Sequence, residues 1–214
     1  MTTMLITLVG AGSVATALTV NLLRHGHAVR LAVRPGSKRP VPDGAARVDL
    51  GPGAAQGSDL VILAVPFAVA AHVVSDLALP SGSVLVDATN PFGVPVPEPH
   101  LHGLSVIAAA AGPEVAVVKA FNVVGAEHLA APQLPDGARP VLPVASDDAP
   151  ARRAVVDLAD SLGFHAVDVG GAAAAPLLED AARYWGLLAF SGGLGRRMVL
   201  VAHQRPDPAG SPSR

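Results

Sequence analysis

Cysteine is absent from the 214 residues, which excludes disulfides, thiolate nucleophiles and any Cys-ligated metal or iron–sulfur site. That usage favours an intracellular, cytoplasmic setting. Charged residues make up only 15% of the chain, the formal net charge is -2, and the basic residues are nearly all arginine without a dense run. This argues against a nucleic-acid partner and leaves a small anionic ligand compatible. No apolar stretch reaches the ~20 residues of a membrane-spanning helix without Gly, Pro or charge, so no membrane association is expected. The opening MTTMLITLVGAG resembles the apolar region of a signal peptide, but no basic segment precedes it and a glycine turn cuts it short. It reads as a buried strand. Aromatics are only 3% of the chain, and Tyr184 and Trp185 are its only large amphipathic ones.

Half of the residues are hydrophobic, enough for a substantial core. Short runs rich in Val, Ile and Leu recur at residues 4–9, 28–33, 60–65, 84–86, 115–118, 141–144 and 164–169, and each reads as a buried strand. Alanine-rich segments of helical length lie between most of them, at 13–25, 67–79 and 149–162. Such alternation predicts right-handed βαβ units, a parallel sheet, and helices on both of its faces. Residues 35–57 are the weakest stretch, with only 47–50 strand-like, and predict a shortened third βα unit. Residues 91–103 hold four prolines and two histidines and predict a surface loop; 132–143 is a second connection, with a turn at Pro135-Asp136-Gly137. The last long helical pattern runs over 172–190, apolar at Leu177, Leu178, Ala181, Trp185, Leu188 and Ala189. Residues 205–214 read as a disordered tail.

The first strand runs directly into Gly10-Ala11-Gly12-Ser13-Val14-Ala15, a GxGxxA turn that opens a helix. Gly10 permits the tight turn, Gly12 lets the backbone approach a pyrophosphate, and Ala15 keeps helix and strand close. The helix N-terminus then faces the anion. Between a buried strand and a helix, the motif predicts a dinucleotide site on an α/β Rossmann fold. That fold is a doubly wound, mostly parallel sheet with helices on both faces and a small C-terminal helical/αβ extension. A glycine turn that only packs a helix on a sheet is the plainer alternative.

At the end of the second strand, where an Asp or Glu would bind the ribose of NAD, stand Val33 and Arg34, followed by Ser37, Lys38 and Arg39. A guanidinium there suits a 2′-phosphate, so NADP(H) is favoured over NAD. A solvated basic loop is the bland reading. Ligands of such sheets cross the carboxyl ends of the strands. Those ends carry Ala64-Val65-Pro66, an apolar face; Ala88-Thr89-Asn90, with uncharged donors and acceptors; and Lys119-Ala120-Phe121-Asn122. Lys119 could meet a substrate anion, titrate with a lowered pKa, or snorkel to water. Asp87, Glu114 and Glu127 have no charge partner identifiable from sequence and read as structural. His100 with His102, and His25 with His27, read as solvent-exposed, with no metal expected.

The GAGSVA turn, the Val33-Arg34 pair, AVP at 64–66, DATNP at 87–91 and VVKAFNVVGAEHL at 117–129 resemble the coenzyme F-420-dependent NADP oxidoreductases over about residues 4–190. The resemblance implies hydride transfer between NADP(H) and a 5-deazaflavin, coenzyme F-420, with a small C-terminal part helping to cover the deazaflavin. Residues 1–145 would then be the NADP-binding domain and 146–204 the substrate-covering region. The pair Val33-Arg34 falls where that family's Ser-Arg pair binds the 2′-phosphate, with Val33 a departure that removes a hydroxyl. Ring-to-ring hydride transfer needs positioning more than acid–base catalysis. Thr89, Asn90 and Asn122 are accordingly expected to orient the rings. Two other readings stand: NADPH-dependent reduction of a flavin, ferric chelate or imine in the same cleft, and a non-catalytic NADP(H) sensor. The helix over 172–190 would either close the site or pack on a second subunit, as in a homodimer.

Overall fold

In this computed structural model, which describes residues 2–204, Leu5–Val9 (β1) lies at the centre of a parallel sheet and runs straight into the first helix, Ser13–Arg24 (α1). There follow Ala28–Val33 (β2), Ala46–Asp49 (β3), Leu60–Leu63 (β4), Phe67–Leu77 (α2) and Val84–Asp87 (β5). Next come Gly103–Ala111 (α3) and Ala116–Lys119 (β6). The six strands are ordered β3-β2-β1-β4-β5-β6, all parallel. The fold is the doubly wound Rossmann type expected, and the strand order reverses between β1 and β4, which opens a crevice at their carboxyl ends.

Period-two alternation explains why both faces carry helices. Ile6, Leu8, Leu31, Val33, Leu60 and Ile62 pack in one core with Ala15, Leu18 and Leu22 of α1. Val9, Ala32, Val61, Leu63 and Leu85 face the opposite way, onto Phe67, Ala70, Val73 and Leu77 of α2 and Ile107 of α3. The helix α3 begins where the proline loop ends; the sequence reading singled out the loop and not the helix.

The remaining elements are Ala126–Leu129 (α4), Val141–Val144 (β7), Ala149–Ser161 (α5), His165–Asp168 (β8) and Ala175–Gly186 (α6). The last two predicted strands do not extend the main sheet: β7 and β8 pair in parallel as a separate two-stranded sheet. Beside β6 the chain makes a single antiparallel bridge, Lys119 with Ala145. The Ser146 hydroxyl donates to the Val117 carbonyl at 2.8 Å, and Pro143 has no N–H to give a ladder. The turn at Pro135-Asp136-Gly137 forms as expected, with Gly137 at φ 82°. The expected helix over 172–190 is three pieces: a 3-10 turn Ala172–Ala174, α6, and a π-helical turn Leu187–Ser191. Leu177, expected on the apolar face, is 70% exposed, and Glu179 is buried instead. The tail expected at 205–214 lies outside the described residues. No helix among the described residues is long and apolar enough to cross a membrane.

Candidate functional site

Gly10 leaves β1 at φ 118°, with its N–H on the Ala32 carbonyl at 2.9 Å. A Cβ there would stand 2.5 Å from the Ala64 carbonyl oxygen and 3.2 Å from Val65 Cγ1. The predicted residues Gly10, Ala64 and Val65 thus lie together, Gly10 facing the Ala64 backbone and the Val65 side chain. Gly12 caps α1 in extended conformation, and no side chain caps the helix. A Cβ at Gly12 would meet nothing within 4 Å. Ala15 is fully buried against the sheet, Ala11 and Val14 pack on the same core, and Ser13 is exposed. Open space in front of uncapped N–H groups at a helix start is the geometry a pyrophosphate needs.

The loop after β2 folds back onto this turn. The Arg39 guanidinium donates to the Ala11 carbonyl at 3.2 Å, and Arg47 of β3 donates to the carbonyls of Arg39, at 2.9 Å, and of Ser37. Arg34 and Lys38 are exposed, and among the described residues neither side chain has a hydrogen-bond or ion-pair partner in the protein. Both are available to a phosphate. Val33, expected to contact the cofactor, turns its side chain into the core beneath α1. Its carbonyl takes the Leu50 N–H at 2.8 Å. The side chains open to a ligand at this end are those of Arg34 and Lys38, with Ser37 and Arg39 alongside, and not that of Val33.

At the carboxyl ends of the next strands, Val65 and Pro66 border the crevice, Pro66 being exposed and Val65 partly so. Ala88 belongs to the core, with its N–H on the Leu63 carbonyl at 3.1 Å, so its side chain is not free for a ligand. Asn90 and Asn122 clasp each other: Asn90 Nδ2 donates to the Asn122 carbonyl at 2.8 Å, and Asn122 Nδ2 to Asn90 Oδ1 at 2.9 Å. Asn122 Nδ2 also donates to the Leu178 carbonyl at 3.0 Å. The residue before Asn122 is Phe121. It is buried against Phe164 and held at φ 60°, a left-handed backbone that costs a non-glycine residue about 1–3 kcal/mol. Thr89 Oγ1 and Asn122 Oδ1 are buried with no partner among the described residues.

Lys119 is one of the largest fully buried side chains. It is fully buried, 2.9 Å from Asp87 Oδ2, 2.7 Å from the Thr89 carbonyl and 3.2 Å from Glu179 Oε1, so it neither snorkels nor faces a substrate. Asp87 and Glu127, read as lacking charge partners, pair with Lys119 and Arg196. Burial pushes the Glu127 carboxyl up, but the Arg196 hydrogen bond, backbone bonding and nearby positive charge together hold it below the usual range. Of the histidines read as exposed, His27 is buried and its Nδ1 accepts the Met4 N–H at 3.3 Å. His102 caps α3, accepting the Ser105 N–H at 3.2 Å. Glu179 was missed in the sequence, although Ala175, Leu178, Glu179 and Ala182 follow the i, i+3, i+4, i+7 spacing of one buried helix face. A groove of about 840 Å³ lies elsewhere, between α3 and α5 along the outer edge of β6, and contains none of the predicted site residues.

The reversed strand order with an open glycine turn at its switch point defines a Rossmann-type, dinucleotide-binding class of fold. Residues 5–91 match the family described as NADP oxidoreductase, coenzyme F420-dependent, so the resemblance seen in the motifs holds over the segment from β1 through DATNP. The KAFN segment lies beyond that match. A hypothetical protein from Sinorhizobium meliloti superposes with a TM-score of 0.74 at 29% identity, over 95% of this chain and 97% of its own. A candidate F420-dependent NADP-reductase from Arthrobacter sp. gives 0.74 at 26% identity, over 89% and 95%. A reductive aminase from Aspergillus terreus, in complex with NADPH and ethyl levulinate, shares the fold at 20% identity with a TM-score of 0.66, over 90% and 64%. No curated protein sequence matches the chain.

Proposed function

We propose that the chain transfers a hydride between NADP(H) and coenzyme F-420. The observation that carries the cofactor half is the pairing of an uncapped, sterically open helix start at Gly12 with two cations, Arg34 and Lys38, that have no partner among the described residues, on the loop tethered to it by Arg39. Backbone N–H groups of the turn would hold the pyrophosphate, and Arg34 with Lys38 the 2′-phosphate that distinguishes NADP from NAD. NADP(H), when bound, supplies the hydride chemistry. The chain's own part is orientation: Val65 and Pro66 offer an apolar wall, and the Asn90–Asn122 clasp gives a fixed polar edge on which a ring can be registered.

The deazaflavin half is supported by the family match over residues 5–91 and by the resemblance of the DATNP and KAFN loops. Mixing the purified protein with NADPH and oxidised coenzyme F-420 tests it. The expected result is joint loss of the NADPH and deazaflavin absorbances, one for one, across the acid-to-alkaline range. Oxidation of NADPH only by a flavin, ferric chelate or imine in a parallel panel would move the assignment to a different acceptor. Tight NADPH binding without oxidation by any of these would make the protein a sensor.

A further inference from the structure

We propose that Lys119 and Glu179 are positioning residues for the nicotinamide end of the cleft, coupling the C-terminal helix α6 to the loops that would hold the reacting ring. The proposal rests on the NADP reading above.

The three N–H donors of Lys119 face three oxygens, each on a different segment: the Asp87 carboxylate at the end of β5, the Thr89 carbonyl in the DATNP loop, and the Glu179 carboxylate on α6. Asp87 spends its other oxygen on the Thr89 N–H at 2.8 Å, so Thr89 is gripped by both its N–H and its carbonyl. Glu179 reaches onward to the start of α3, accepting the N–H groups of Gly103 and Leu104 at 3.2 and 3.3 Å. Its approach is so close that a Cβ at Gly103 would stand 2.7 Å from Glu179 Oε1. One residue before Glu179, the Leu178 carbonyl receives Asn122. Both loops expected to orient the rings, 87–91 and 119–122, are therefore held from behind by adjacent residues of a single helix.

Two carboxylates and one ammonium are buried here, with the α3 N-terminus offsetting the excess negative charge. Apolar side chains of like volume would pack without that desolvation cost. Ions add direction, because two hydrogen bonds and one ion pair fix the Lys119 ammonium, which holds the Thr89 carbonyl in place. A shift of α6 reaches the Thr89 backbone through Lys119, and the Asn90 side chain through Leu178 and Asn122. The geometry makes the placement of the ring, not the grip on the adenosine half, the property that depends on Glu179.

Glu179→Gln keeps an acceptor oxygen for α3 and leaves Asp87 and Lys119 as a one-to-one pair, and melting checks that it folds. Titration of wild type and variant with NADPH, and separately with 2′,5′-ADP, which has the 2′-phosphate but no nicotinamide, reads the effect. NADPH should weaken on the order of tenfold and 2′,5′-ADP by less than about twofold. Equal weakening of the two, or no weakening of NADPH, in the folded variant overturns the proposal. Hydrogen exchange on the wild-type protein is independent of any variant: NADPH, but not 2′,5′-ADP, should slow the Gly103 and Leu104 amides that bond Glu179. Unchanged exchange there also overturns it. A wild-type protein that binds no 2′,5′-ADP would instead remove the NADP reading itself, an outcome distinct from either of these.

Discussion

A methyl group added at Gly10 and one added at Gly12 have opposite expected consequences, although the two glycines sit in one motif. At Gly10 the new Cβ would lie 2.5 Å from a backbone oxygen at a φ of 118°, so Gly10→Ala should lose about 2–4 kcal/mol of stability, read as a lowered denaturation midpoint. At Gly12 the Cβ meets only open space. Gly12→Ala should cost less than about 1 kcal/mol, as a weaker helix cap, while weakening NADPH by about tenfold or more, measured by calorimetry. Arg34→Ala should raise the NADPH dissociation constant about 10- to 100-fold and leave NADH unchanged, since a charge-assisted phosphate contact contributes ~1.5–3 kcal/mol. Both glycines and Arg34 were legible because their roles are set by neighbours in sequence. The Val33 side chain was not, since alternation along β2 decides its direction, and that phase is fixed by the sheet.

The helix α6 docks through two close approaches that no local pattern announces. Glu179 enters over Gly103, and Trp185 over Gly125, where a Cβ would stand 2.6 Å from the indole Cζ2. Gly125→Ala should destabilise by about 1–3 kcal/mol, read by thermal melting, because the indole must move and its Nε1–H donates to the Met198 carbonyl at 3.0 Å. Helical spacing in 175–182 was visible, and would have placed Glu179 inward; its partners, 60 and more positions away, were not. At the turn between α1 and β2, burial holds the His27 imidazole below its ordinary value of 6.5, with His25 adding to the effect. The unfolded chain then binds the extra proton first, so stability is fully present above pH ~6.5 and falls as pH drops towards the lowered folded value. His27→Gln should flatten that limb of the melting-temperature profile.

The core that supports the glycine turn is shared by the whole molecule. Ile6 and Leu8 of β1 lie in the same cluster as Leu142 and Val144 of β7, Val155 and Leu158 of α5, and Phe164. Asn21 of α1 also donates to the carbonyls of Leu129 and Leu162, at 2.9 and 3.1 Å. Unfolding should accordingly be a single transition by both near- and far-ultraviolet circular dichroism. A chain ending at residue 145 should fail to give a cooperative melt, because it loses α5 from one face of the sheet. The alternating apolar runs gave notice of a parallel sheet and of α1, α2 and α5, but not of α3. Separation of β7 and β8 into a second sheet was not legible, since the runs at 141–144 and 164–169 resemble the others, while in the structure the chain beside β6 pairs only at the Lys119–Ala145 bridge.

The inward turn of Val33 bears on any attempt to re-engineer which nicotinamide cofactor this scaffold accepts. An acidic residue at the end of the second strand is the usual way to favour a ribose over its phosphate. Placed at position 33 here, it would put a carboxylate among Leu31, Leu18 and Leu22 instead of beside the sugar. Placed at 34, it would stand on a loop whose neighbours Arg39 and Arg47 already hold the local backbone, and would compete for them as ion-pair partners. A switch to NAD would therefore have to rewrite the 34–39 loop together with its arginine tether.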